Sequence, residues 1–511
     1  MPGASALPLP DEGSVSRLHR LRRPDLRALN PAIISGIVLI VALSFGLWNV
    51  SRDRDQGDYF QFWAVGRLAG TGVTDIYSTS ARATLGAQIN TATDEGTSVR
   101  AAQAAQEWQV LNTTGTPFLY AVFGTLSTGD YDLDSGTWEL IGLLALIAAS
   151  VGLCLAFGYS GVAALAVTAM LVGTSGALVS DVRTGNVNQV QVGILAAFFL
   201  LRLRWPTPRG DVAAGVLLGA LIAFKPDLAP VAGFLVLLWF VDRRFGTLRR
   251  VLLGMVAGGL LAVAIGTIAW GSFRLWIDWL GSLAQLASGQ YTVASGNYSL
   301  ARVILEWSGV DVSLNLAIGL GATIIAAMVR ARSVSQASES VGSTVEGKLG
   351  ARRPPDPNAA VGREVLTVGA AIALVLMASP LAWLHYFLLL VPLQIYLLRP
   401  GDPEGRPGPI PPILRQAAVS ISVVLLAFVP LDTVLGASPT ADALEAIVAG
   451  ELLFAMAVLW LAADPGPLAE AAATAAEQSS VTAAERSAVP SPVASPVEPQ
   501  PAQPQPGIMP A

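Results

Sequence analysis

Residues 212–240 read VAAGVLLGALIAFKPDLAPVAGFLVLLWF, an apolar run whose only charges are Lys225 and Asp227. An ionisable side chain at membrane depth is expensive and marks a functional site by default. Pro226 supplies no N–H and clashes with the preceding turn, so a regular helix stops there and backbone polar groups face the same spot. The chain has one other lysine, Lys348, against many arginines, which sets Lys225 further apart. An anion or other polar ligand is expected there. A plainer alternative stays open: a lysine that snorkels toward water and pairs with Asp227.

Apolar stretches of membrane-crossing length recur outward from this run, at 32–50, 108–127, 137–157, 160–180, 187–203, 249–270, 311–330, 365–380, 384–398, 413–430 and 446–463. With the two halves of 212–240 they predict about 11–13 transmembrane helices, each needing about 17–25 residues. Of 511 residues, 53% are hydrophobic and 13% charged, too apolar for a soluble globular chain. The expectation is an all-α, polytopic integral membrane protein. Cys154 is the only cysteine and His19 and His385 the only histidines, which excludes an internal disulfide and a His-rich metal cluster. No metal and no cofactor is expected, and no nucleic-acid partner.

Arginine placement orients the chain. Residues 1–31 carry Arg17, Arg20, Arg22, Arg23 and Arg27, and no cleavage site follows the apolar stretch 32–50, so a cytoplasmic N-terminus and an uncleaved first helix are expected. Further clusters at Arg202, Arg204 and Arg209, at Arg243, Arg244, Arg249 and Arg250, and at Arg330 and Arg332 mark the cytoplasmic side. Residues 32–463 then form the membrane domain, with 51–107 as a long extracytoplasmic first loop able to carry surface-lying helices. The Ser/Gly/Pro/Arg-rich loop 333–363 and the Ala/Pro/Ser-rich tail 464–511 read as disordered cytoplasmic segments. Crossing parity between 128 and 202 requires one more helix, and a break at Val172-Gly173-Thr174-Ser175-Gly176 would supply it.

This topology gathers the chemistry on the external face. Asp53 and Asp55 sit beside arginines and read as a solvated helix end, whereas Asp58 precedes the aromatic run Tyr59, Phe60, Phe62 and Trp63, which draws it toward the membrane and suits a general base. His385 lies at the turn Ser379-Pro380-Leu381-Ala382-Trp383-Leu384-His385-Tyr386, where Trp383 and Tyr386 suit a sugar ring; a hydrogen-bonded structural histidine is the alternative. Arg183 with Asn186, Asn188 and Gln189, and Asn297 with Arg302, are two polar clusters with amides and guanidiniums for sugar or phosphate, or ordinary loop chemistry.

In these residues the chain resembles the GT-C superfamily of membrane glycosyltransferases, and within it glycosyltransferase family 87. The matching positions are Asp58, Tyr59, Ala64, Gly70 and Tyr77; Gly185-Asn186-Val187-Asn188-Gln189; Lys225-Pro226; Gly296 to Leu300; and Ser379, Pro380, Trp383 and His385. They occur in the family's order over most of the membrane part. Thr116-Pro117-Phe118 departs from the family's Tyr-x-Pro-Pro pattern, and residues 333–363 and 464–511 have no counterpart.

The resemblance implies a GT-C fold in the cell membrane with an extracytoplasmic active site. It implies transfer of a sugar, mannose foremost, from a polyprenyl-phosphate donor to a glycolipid or glycan acceptor by a single inverting displacement. Asp58 would be the base, with His385 orienting phosphate or sugar. Lys225, Arg183 and Arg302 would hold the donor phosphate, and Tyr59, Asn186, Asn188, Gln189, Asn297, Trp383 and Tyr386 would meet sugar or acceptor. A polyprenyl-phosphate arabinosyltransferase is the near alternative. A lipid-linked sugar flippase or transporter is the distant one, though it leaves the carboxylate of the first external loop unexplained.

Overall fold

The computed structural model describes residues 57–94, 98–107, 113–286, 291–346, 357–399, 411–426 and 439–463. Two units divide the chain, 1–333 with 354–464 and 334–353 with 465–511; of the second, only residues 334–346 are described. Eighteen α-helices and no β-strand occur among the described residues, as expected of an all-α chain.

The helices are α1 (Gly57–Gly66), α2 (Thr79–Asp94), α3 (Val99–Glu107), α4 (Pro117–Leu126), α5 (Tyr131–Ala156), α6 (Gly161–Gly173), α7 (Gly176–Thr184), α8 (Asn188–Arg204) and α9 (Pro208–Phe224). After a 3-10 turn at Pro226–Leu228 come α10 (Ala229–Val241), α11 (Phe245–Trp270), α12 (Arg274–Leu286), α13 (Leu300–Ser308), α14 (Ser313–Glu346) and α15 (Pro357–Ala378). A 3-10 segment, Leu384–Leu390, leads to α16 (Val391–Leu398), α17 (Pro412–Leu425) and α18 (Pro439–Ala463).

Five helical stretches are long and apolar enough to cross a membrane: Tyr131–Ala156, Phe245–Trp270, Ser313–Ser333, Ala360–Ala378 and Ala441–Ala463. Several other expected crossings are shorter apolar helices, such as Pro117–Leu126 and Gly161–Gly173. Ten residues rise only about 15 Å, half a hydrocarbon core. The expected first crossing, 32–50, lies outside the described residues. The break at 172–176 is present, with Ser175 capping α7 through a hydrogen bond from the Leu178 N–H (3.1 Å). It yields two short helices, α6 and α7, and α7 bends by 119° into α8, the latter pair together having the length and apolarity of one span. Residues 57–107 carry α1 to α3, and α1 is buried against α4 rather than lying on a surface.

Helix α15 is the central element, buried along nearly all its apolar length, whereas α11 lies on the rim with most of its residues exposed or half-buried. On α11, Leu260, Ile265 and Ile268 stay exposed, a face suited to lipid. Its other face meets α9 through paired glycines. A Cβ at Gly215 or Gly219 would run into backbone of Val251 or Met255, and one at Gly254 or Gly258 into backbone of Val212 or Val216. Two small-xxx-small stripes thus bring the backbones together, the usual way membrane helices gain dispersion contact. Gly66 and Gly124 do the same where α1 meets α4.

At one end of α8, α9, α10 and α15 sits a buried charge cluster. Arg202 donates to Glu364 through Nε (3.1 Å) and Nη2 (2.7 Å) and also pairs with Asp211. Glu364, fully buried, accepts further from Trp239 Nε1 (2.8 Å) and Arg244 (3.0 Å), while Arg250 holds Asp211 (2.8 Å). Next to it Arg363 pairs with Asp242 (2.7 Å). The opposite ends of these four helices carry Asn188, Lys225, Asp227 and Ser379. Along α8 the distance from Arg202 to Asn188 is about 21 Å at 1.5 Å per residue. The cluster therefore fixes the axial register of the helices on which the polar centre is built.

Candidate active site

Asp58 lies in the first turn of α1, where the helix N-terminus favours an anion. Behind it Tyr59 is buried against Phe123 (5.7 Å between ring centroids) and Tyr131 (5.6 Å), forming a wall that backs the carboxylate. Asp58 Oδ2 accepts from Asn186 Nδ2 at 2.6 Å and Oδ1 from Gln61 Nε2 at 3.2 Å. Each oxygen keeps a lone pair for a further donor. Burial pushes the Asp58 carboxyl above its ordinary range, opposed by the hydrogen bond from Asn186, the charge of Lys225 and the bond from Gln61.

Asn186 reaches Asp58 because of the glycine before it. Gly185 ends α7 in the left-handed region (φ 67°), and a Cβ there would stand 2.5 Å from Tyr59 Cβ. The Asn186 amide is then saturated. Its Nδ2 donates to Asp58 and lies 3.2 Å from His385 Nε2, while its Oδ1 accepts from Lys225 Nζ (3.1 Å) and the Val187 N–H (2.7 Å). A flipped amide would set oxygen against carboxylate and NH2 against ammonium, so the orientation is fixed by charge. His385 Nε2 must therefore be an acceptor. The imidazole is neutral with its proton on Nδ1, 3.4 Å from Ser180 Oγ.

Lys225 follows α9 in extended conformation (φ −146°, ψ 110°), as Pro226 requires. Its Nζ donates to Asn186 Oδ1 and Asn188 Oδ1, both at 3.1 Å, stands 3.7 Å from Asp227 Oδ2 and lies 4.3 Å from the centre of the Tyr386 ring. The pairing with Asp227 left open by the sequence is thus present, alongside two amides that snorkelling would not provide. Asn188 in turn donates to Asp181 Oδ1 (2.8 Å), a fully buried carboxylate of α7, and Gln191 Nε2 donates to Asp227 Oδ1 (3.2 Å).

The remaining predicted residues fall into two groups. Trp383 stacks on His385 (6.5 Å between centroids, 20° between planes) and meets Tyr291 edge-on (5.4 Å), so Trp383 and Tyr386 flank the centre. Asn297 is fully buried and holds the turn that presents them: it donates to the carbonyls of Pro380 (2.8 Å) and Tyr291 (3.3 Å) and accepts from the N–H groups of Ala382 (3.0 Å) and Ser299 (3.2 Å). All its hydrogen-bonding places serve the backbone. Gln189 turns toward α5, its Oε1 standing 3.1 Å from where a Cβ on Gly142 would be. Arg183 is exposed on the last turn of α7, and Arg302 pairs with Glu306 along α13 (2.7 Å).

Four participants escaped the sequence reading: Gln61, Ser180, Asp181 and Gln191. Asp181 had a usable signal, a lone carboxylate beside an apolar run, the same rule that singled out Lys225. The other three are neutral residues with no distinguishing pattern.

Residues 114–346 match the family model of glycosyltransferase family 87. No curated protein and no solved structure matches the chain. The matched span contains Gly185 to Gln189, Lys225-Pro226 and Gly296 to Leu300, and stops short of Asp58 on one side and His385 on the other. The match indicates glycosyltransferase activity, and with five apolar spans it describes a membrane enzyme that handles a sugar donor and an acceptor.

Proposed function

We propose that the chain is a hexosyltransferase that moves mannose from a polyprenyl-phosphate donor to a glycolipid or polysaccharide acceptor at the extracytoplasmic face of the cell membrane. The observation that carries this reading is the single amide of Asn186 joining a carboxylate, Asp58, to an ammonium, Lys225. An acceptor hydroxyl needs a base, and a departing lipid phosphate needs a cation. A single side chain, that of Asn186, bridges the two.

In the displacement, the acceptor oxygen attacks the anomeric carbon as its proton passes to Asp58. The bond from that carbon to the phosphate oxygen breaks on the opposite side with its electron pair, so configuration inverts. The phosphate leaves as an anion and needs no proton, so one base suffices and Lys225 stabilises the developing charge. His385 acts through Asn186, keeping the amide turned so that it donates to Asp58. Trp383 and Tyr386 supply flat apolar faces for the sugar.

The test is turnover by the purified full chain in nanodiscs, with polyprenyl-phosphate mannose and an extract of membrane glycolipids, read by mass spectrometry. Asp58→Asn should abolish product while donor binding persists. Full turnover in that variant would remove the base assignment. Replacing the donor with its arabinose counterpart measures sugar preference in the same assay.

A further inference from the structure

We infer that Asp227 is a built-in competitor for the anion position at Lys225, so that a phosphate reaches the ammonium only by displacing this carboxylate. The inference rests on the proposed role of Lys225 and deepens it.

A lysine ammonium has three N–H groups. Two are taken by Asn186 Oδ1 and Asn188 Oδ1 at 3.1 Å each, and the third approach holds Asp227 Oδ2 at 3.7 Å. The Tyr386 ring covers a further side at 4.3 Å. An incoming phosphate therefore has to replace one partner, and the three are not equally replaceable. Asn186 is tied to Asp58 and His385, and Asn188 to Asp181, and both are buried. Asp227 makes the longest contact, is 26% exposed, and stands on the short 3-10 turn that Pro226 begins. It is tethered by Gln191, borders a small cavity of about 50 Å³ lined by Leu228, Val231, Ile372, Leu376, Ser379 and Tyr386, and is free to turn toward its exposed side.

Charge supplies the consequence. Asp227 stands directly beside the ammonium while Asp58 and Asp181 reach it through the amides of Asn186 and Asn188, so a phosphate arriving beside an unmoved Asp227 meets like charge. A free phosphate has only its own electrostatic attraction with which to displace the carboxylate. A phosphate on a lipid tail adds apolar burial elsewhere on the molecule, which offsets the displacement. Asp227 thereby weakens every phosphate alike, so that only one whose tail is also buried binds measurably.

The experiment measures binding of farnesyl phosphate, farnesol and inorganic phosphate to the full chain in nanodiscs. Asp227→Asn should tighten farnesyl phosphate about tenfold or more, as expected for removing a juxtaposed like charge. It should also bring inorganic phosphate into measurable range and leave farnesol unchanged. Asp227→Glu, whose longer arm reaches the ammonium better, should weaken farnesyl phosphate. The inference is overturned if Asp227→Asn binds farnesyl phosphate no tighter than the parent, or if both variants shift affinity the same way. If the parent binds farnesyl phosphate no better than farnesol and Lys225→Met changes nothing, the phosphate role of Lys225 fails and the competitor falls with it.

Discussion

Asn186 Nδ2 stands 2.6 Å from Asp58 Oδ2, and the same nitrogen is 3.2 Å from His385 Nε2, so one amide sets both the base and the imidazole. Asn186→Ala removes that link without adding bulk. Turnover should fall by about 10²-fold or more, the usual scale for losing an oriented base, with the protein still folded by circular dichroism. Asn186→Asp should be at least as damaging, because it sets a second carboxylate against Asp58. Parent-like kcat in both variants would show that Asp58 needs no such support.

The pH profile follows from the burial of Asp58. A base works when ionised, so kcat/KM should fall as pH drops through its pKa. Burial raises that pKa, so the acid limb should lie above the ordinary carboxylate range. Lys225 pulls it down, so Lys225→Met should move the limb to higher pH as well as lowering the plateau. A limb that stays in place in Lys225→Met would mean that the two charges are not coupled during turnover.

The limits of the sequence are visible in particular residues. Lys225, Asp58 and His385 were legible because each is a costly or titratable group in an apolar setting, and a lone charge carries information without any partner being known. Their partnership was not legible, since Asn186 lies 128 positions from Asp58 and 199 from His385. Asn297 was misleading for a related reason: its exact hydrogen-bond partners are backbone groups of residues 291, 299, 380 and 382, and backbone leaves no signature in side-chain chemistry. Helix count suffered from segments that are apolar enough to cross but stop after ten to seventeen residues. Hydropathy measures the environment a segment tolerates, and its length is set by caps such as Ser175 and breaks such as Pro226.

The close approach of α9 and α11 makes a packing prediction. Gly219→Val would press a branched side chain into the Met255 backbone. Overpacking of this kind costs about 1–3 kcal/mol, so the melting temperature should drop and activity with it, since Lys225 rides on the end of α9. Gly259→Val is the control, because nothing lies within 4 Å of a Cβ there. Equal melting temperatures for the two variants would rule out the glycine contact as a determinant of the fold.

Glu364 offers the sharpest contrast between a residue that supports the site and one that takes part in it. It is fully buried, at the far end of α15 from Ser379, and accepts from Arg202, Trp239 and Arg244. Removing one member of a buried ion cluster leaves uncompensated charge, at about 3–5 kcal/mol, so Glu364→Ala should lower the melting temperature markedly. Replacing both Glu364 and Arg202 with methionine removes the main buried pair together and should recover part of that loss, because the isolated charge is what destabilises most. The pH limb assigned to Asp58 should be unmoved in whatever folded fraction remains active. A shifted limb would place the cluster in electrical contact with the base across the length of α8, against the screening and distance that separate them, whereas an unshifted limb with a lowered melting temperature is the signature of a cluster that sets helix register alone.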